Sequence, residues 1–169
     1  MFNSIRAREG CRSFMQQERV KKIICWMLVA ACMGVIFYFS SRTATQSSEQ
    51  SGYFVELLQR LFGSNAVTDF IVRKSAHFLE FTGLALLFAL ALFVQLERTK
   101  TPLAVVCTSL YAVTDEIHQI FVEGRACKIS DWAIDTAGAV LGAVAFLVII
   151  KLSEKIISRK KEKNGQSEY

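Results

Sequence analysis

FLEFTGLALLFALALFVQL, Phe78 to Leu96, is nineteen residues of nearly unbroken apolar character with a single carboxylate, Glu80, near its start. A strand of a membrane barrel alternates apolar and polar residues over about 10 positions, and this stretch does not alternate. As a helix rising about 1.5 Å per residue it comes close to the roughly 30 Å of a bilayer core. Three further blocks of the same kind surround it: Ile23–Phe39, Leu103–Val122 and Trp132–Ile150. The first and fourth are almost free of polar groups, which argues against a large soluble helical core. The chain is 52% hydrophobic without counting glycine, above the roughly 45–50% that soluble domains reach with glycine included. The fold class predicted is all-α: a polytopic membrane protein built as a four-helix transmembrane bundle.

The basic residues orient this bundle. Four spans put both termini on one side, with Arg6, Arg8, Arg12, Arg19, Lys21 and Lys22 before the first block. Lys151, Lys155, Arg159, Lys160, Lys161 and Lys163 follow the last block, and the short loop Glu97–Pro102 adds Arg98 and Lys100. That side carries fourteen of the 20 Lys and Arg residues, which makes it cytoplasmic by the positive-inside rule. The organisation expected is therefore a basic cytoplasmic N-terminus (1–22), a membrane domain (23–150) and a basic cytoplasmic tail (151–169), the tail fraying from a helix end into disorder. The formal net charge of +5 lies mostly beside the membrane, where it favours anionic headgroups. Nucleic acid is excluded as a partner, because no folded basic face interleaves aromatic residues. The first block reads as a retained signal anchor, since no small-x-small site follows FYFSSRTATQ closely. The cysteines make no disulfide framework: Cys11 is cytoplasmic, Cys25, Cys32 and Cys107 lie in spans, and Cys127 alone faces outward.

The first outer loop, Ser40 to His77, divides in two. SSRTATQSSEQS, Ser40 to Ser51, is polar and expected to be flexible. GYFVELLQRLF places Tyr53, Phe54, Leu57, Leu58, Leu61 and Phe62 on one helical face, with Glu56, Gln59 and Arg60 opposite. This short amphipathic helix is expected to lie on the outer membrane surface or to cover the bundle.

The polar residues of the spans collect at the outer end. Arg73, Lys74, His77 and Glu80 begin the second span, Asp115, Glu116, His118 and Gln119 end the third, and Asp131 and Asp135 open the fourth. Glu123, Arg125 and Lys128 lie in the loop between the last two. Spacings of three and four put Arg73, His77 and Glu80 on one face, and Asp115 on a face with His118 and Gln119. Asp115 lies about 10 Å inside the outer edge by helical rise, where an ionised carboxylate costs about 2–3 kcal/mol or more. It is expected to face the bundle interior and to have a partner. Gly138 and Gly142 continue the Asp131–Asp135 face as a small-xxx-small pattern, which suits close helix packing.

RKSAHFLEFTGLALL, YAVTDEIHQIFVEGR and SDWAIDTAGAVLG together resemble the VanZ-like family of bacterial membrane proteins. The likeness runs from Arg73 to Gly142 and, with the first span and its FYFSS end, covers roughly residues 23–150. The family pattern falls on Lys74, His77, Glu80, Asp115, Glu116, Gln119, Arg125, Asp131, Asp135 and Gly138. RTATQSS after Ser41 departs from the Ser-Gln-x-Pro-like stretch expected there. The resemblance implies a bacterial cell membrane and a link to resistance to glycopeptides of the teicoplanin type; it supplies no mechanism.

Three chemistries suit the polar end. The first is recognition of an anionic headgroup, a phospholipid or a lipid-linked or peptidoglycan-related component. Arg125 offers a planar fork for phosphate or carboxylate, and Arg73, Lys74 and His77 add positive charge. The second is a hydrolase or transferase acting on a lipid phosphate, with His77 or His118 as a base oriented by Glu80 or Asp115. No H-E-x-x-H or G-x-S-x-G motif supports it. The third is a Zn²⁺ or Mn²⁺ site on the histidines and carboxylates, against which the surrounding Arg and Lys charge argues. No cofactor is expected. A transporter is disfavoured by four short spans with one proline and no broken helix.

Overall fold

The structure is a computed structural model that describes residues 2–62 and 67–165, with side chains at 15–61 and 67–160. It has five helices, α1 (Phe2–Ser40), α2 (Ala44–Phe62), α3 (Asp69–Leu96), α4 (Thr101–Gln119) and α5 (Ile129–Gly165). Among the described residues there is no strand. Met15–Ser40 of α1, all of α3 and Ile129–Lys160 of α5 are long and apolar enough to cross a membrane. α4 is not among these three; its last turns carry Asp115, Glu116, His118 and Gln119.

α3 is the centre of the bundle and packs against each of the other four helices. Its buried residues Phe81, Leu84, Ala85, Phe88, Ala89 and Leu92 recur at helical spacing. α3 and α5 run in the same direction, since Phe78 and Thr82 meet Gly138 and Gly142 at one end and Phe93 meets Phe146 further on. The approach is close: a Cβ added at Gly138 lies 2.4 Å from the Phe78 carbonyl oxygen, and one at Gly142 lies 2.2 Å from that of Thr82. The glycine hydrogens therefore point at carbonyls, the Cα–H···O geometry that recurs between close-packed helices. α1 and α4 run the opposite way. The Tyr111 hydroxyl donates to the Met33 carbonyl at 2.7 Å. Large apolar side chains cover the outside, among them Met27, Leu79, Leu110 and Ile156, as suits a protein whose solvent is hydrocarbon.

Several boundaries differ from those read in the sequence. The loop expected to be flexible from Ser40 to Ser51 is helical from Ala44. Thr43 is the reason: its hydroxyl accepts from the Gln46 N–H at 3.3 Å while the Gln46 side chain accepts from the Thr43 N–H at 3.4 Å. This reciprocal capping box satisfies two backbone donors at once. α3 begins nine residues before Phe78, capped by Thr68, so Arg73, Lys74 and His77 are helical. α4 stops at Gln119, short of Val122, and turns follow it. α5 continues past Ile150 into the basic tail as far as Gly165; the disorder expected at the end of the tail falls in part on residues 166–169, which lie outside the described part. α1 likewise runs through the boundary at 22 without a break.

Candidate ligand-binding site at the charged end of the bundle

The C-termini of α1 and α4 and the N-termini of α3 and α5 meet at one end of the bundle. Helix N-termini favour negative charge and C-termini positive charge. Asp69 and Asp131 stand in the first turns of α3 and α5. Arg125 reaches from the α4–α5 loop to the end of α1, where Nε donates to the Arg42 carbonyl at 2.8 Å and Nη2 to that of Phe39 at 3.3 Å. It thus gives the Arg42 carbonyl a donor and adds a second one to the Phe39 carbonyl, which already accepts from the Arg42 N–H at 3.2 Å. The loop is held from both sides. The Lys128 N–H donates to Glu116 Oε2 at 2.7 Å, and the Ala44 N–H donates to the Glu123 carbonyl at 3.2 Å. Gly124 has φ +74°, and a Cβ there would lie 2.9 Å from that of Ala44, so glycine is required where α2 crosses the loop.

Behind this end lies a buried polar layer. Asp115 Oδ2 accepts from the Ser40 hydroxyl at 2.7 Å and from Gln119 Nε2 at 3.0 Å. Ser40, Asp115, Gln119, Glu116 and Asp135 are all buried. Asp115 Oδ1, Asp135 Oδ1 and His77 Nδ1 have no hydrogen-bond partner among the described residues. His77 Nδ1 stands 3.7 Å from Glu80 Oε2, an ion-pair distance and too long for a hydrogen bond. Lys74 pairs with Asp131 across α3 and α5. Arg73 lies 3.8 Å from Asp69, whose carboxylate also accepts from the Ser48 and Ser51 hydroxyls of α2.

Two cavities open beside this layer. One, of about 450 Å³, lies under α2, with Tyr53, Phe54, Phe39 and Val72 as apolar walls. The other, of about 220 Å³, is polar and lined by Lys74, Lys128, Asp69 and Asp131 among others. Arg73, His77 and Arg125 line both. Burial, and after it the neighbouring Arg73, push the Arg125 guanidinium below its ordinary value, against the opposing pull of Asp115, Glu80 and Glu116. No carboxylate among the described residues pairs directly with Arg125. An amphiphile with an anionic group at the junction would fit such a pair of chambers: its chain against the aromatic walls, its charge on two arginines.

The residues picked from the sequence do not all share these walls. Glu80 faces the apolar cavity, and Gln119 and Asp131 face the polar one. Asp115, Glu116 and Asp135 line neither cavity and stay in the buried layer behind them. His118 also lines neither cavity; it stacks on Phe37 with centroids 4.4 Å apart, and its Nε2 lies 3.1 Å from the Ser41 hydroxyl. At about 100° per residue, position 118 points some 60° back from Asp115 while position 119 points 40° forward. That difference turns the histidine to the α1–α4 seam. Gly138 and Gly142 sit against the α3 backbone below the Lys74–Asp131 pair. Sequence reasoning missed Ser40, Asp69 and the α2 residues Ser47, Gln50 and Ser51, whereas Tyr53 and Phe54 lie on the helix face expected to meet the membrane or cover the bundle. Asp69 was legible as the residue four before Arg73, but Ser40 meets Asp115 from another helix, beyond any local spacing. Among the described residues no three His, Cys, Asp or Glu side chains converge as a metal site.

The family model described as VanZ/LLP1 matches residues 25–151. The chain belongs to this VanZ-like family. No curated protein and no solved structure matches it.

Proposed function

We propose, with that family membership as the premise, that the charged end binds an amphiphile with an anionic headgroup, either a membrane lipid or a lipid-linked cell-envelope component. The observation that carries the proposal is the shared wall of Arg73, His77 and Arg125 between an apolar and a polar cavity. In this reading α4 is a fourth span beside the three apolar helices, its nineteen residues reaching about 28 Å. The charged end faces the outer leaflet of a bacterial cell membrane, and both basic termini are cytoplasmic. α2 lies along the outer surface, with Leu57 and Leu61, both exposed in the isolated chain, turned into the headgroup region. Binding an envelope component at this position is how the protein would bear on resistance to glycopeptides of the teicoplanin type.

The hydrolase or transferase reading has less support. Asp115 is committed to Ser40 and Gln119, His118 to Ser41, and His77 and Glu80 are not hydrogen-bonded to each other. A base oriented by its carboxylate is therefore not in place.

The test is native mass spectrometry of the purified protein in micelles offering phosphatidylglycerol and phosphatidylcholine in equal amounts. Arg73→Gln should weaken retention of phosphatidylglycerol about tenfold, the loss of one charge-assisted hydrogen bond, and leave phosphatidylcholine unchanged. A polyprenyl phosphate added as a third lipid identifies the lipid-linked source if it displaces phosphatidylglycerol. Unchanged retention of every anionic lipid by both Arg73→Gln and Arg125→Gln refutes the site.

A further inference from the structure

A groove of about 540 Å³ lies at the opposite end of the bundle, between α1 and the last turn of α3. Arg19, Lys22, Trp26 and Gln95 line it with polar groups, and Ile23, Met27 and Ala30 supply its apolar part along α1. Among the described residues the charges of Arg19 and Lys22 have no ion-pair partner; Lys21 takes Glu18 at 2.8 Å. Trp26 stands edge-on to Phe88, with centroids 6.2 Å apart, and its indole N–H makes no hydrogen bond among the described residues. Two cations without an ion-pair partner among the described residues, then a Trp one turn on, then apolar side chains along α1 match in order the parts of a phospholipid: phosphate, interface and acyl chain.

We propose that this groove is a binding site for an anionic membrane phospholipid of the leaflet at that end. The phosphate lies between Arg19 and Lys22, Gln95 and the Trp26 N–H take its oxygens or the adjoining ester, and one chain runs over Ile23, Met27 and Ala30. The occupant is fixed by charge and depth. A zwitterionic lipid brings an ammonium beside its phosphate, which offsets the attraction of the two cations, and a peptide segment would leave backbone groups unpaired against the apolar side chains. The site is independent of the cavities at the charged end and shares no residue with them.

The chain has two tryptophans, one in the groove and one, Trp132, at the other end of the bundle. Trp132→Phe therefore makes Trp26 the sole tryptophan of the full-length protein. Reconstituted at equal mole fractions, brominated phosphatidylglycerol should quench Trp26 with an apparent affinity about fivefold or more above that of brominated phosphatidylcholine, the effect of one effective basic residue near a membrane surface. Arg19→Gln with Lys22→Gln should bring the ratio close to one. Lys155→Gln with Arg159→Gln, an equal charge change on α5, should leave it unchanged. Equal quenching by the two lipids overturns the proposal. So does loss of the preference in the α5 pair, which would assign the attraction to the whole basic end and not to the groove.

Discussion

Gly138 and Gly142 offer a test in which one chemical change carries opposite signs at different places. Alanine at Gly142 puts a Cβ 2.2 Å from the Thr82 carbonyl oxygen and 3.1 Å from the Ala85 Cβ. Ordinary van der Waals separation begins at 3.4 Å, so α5 and α3 must move apart by about 1 Å at that turn, because the obstacle is helix backbone and cannot rotate away. Overpacking of this kind costs about 1–3 kcal/mol, and breaking the Cα–H···O interaction there adds about 0.5–1 kcal/mol. Gly34 and Gly83 have nothing within 4 Å of the same added atom. There alanine gains about 0.5–1 kcal/mol from lower backbone entropy in the unfolded chain. The assay is unfolding of purified protein in mixed micelles with increasing dodecyl sulfate, followed by circular dichroism. Gly142→Ala and Gly138→Ala should shift the midpoint down, and Gly34→Ala and Gly83→Ala should shift it slightly up. The separation should also loosen the Lys74–Asp131 pair about one to three turns away, so lipid retention falls in the first two variants alone. If Gly142→Ala is as stable as Gly83→Ala, the close approach of α3 and α5 is refuted.

Two further outcomes follow from the geometry. Asp115→Ala leaves the buried Ser40 hydroxyl without its acceptor and the Gln119 amide with only its 3.4 Å contact to the Ser40 oxygen, so it should destabilise the protein by about 1–3 kcal/mol. Adding Ser40→Ala should cost little more, with a coupling of about 0.6–1.7 kcal/mol in a double-mutant cycle; strict additivity would show that the two side chains do not interact. Cys127 is exposed in the loop that carries Arg125, and in intact cells an impermeant maleimide should label it, whereas labelling only after lysis would reverse the proposed orientation.

Much of this architecture is legible in the sequence because it depends on local quantities. Continuous apolar runs such as Phe78–Leu96 and Trp132–Ile150 fix helices long enough to cross a bilayer, whatever they pack against. The segregation of Arg73, Glu80, Asp115 and Asp131 to one end follows from their position along those runs. Spacing places Gly138 and Gly142 on one face of α5. The Thr43–Gln46 box was equally local and equally legible, and the polar composition of the segment concealed it.

Rotation and approach decided the rest. Periodicity relates side chains up to four residues apart on one helix, but it does not say which neighbour that face meets. Asp115 finds Ser40 across α1, Arg125 finds the carbonyls that end α1, and Asp69 anchors α2; none of these pairs is local. His118, one position from Gln119, turns away to Phe37 for the same reason. The apolar cavity exists because α2 folds back over α3 and covers Arg73, His77 and Arg125, and the polar one because the α4–α5 loop closes against the start of α3. The order of residues along the apolar runs sets which of them stand at the charged end. Only the packing of five helices decided which of them face a cavity and which are buried behind it.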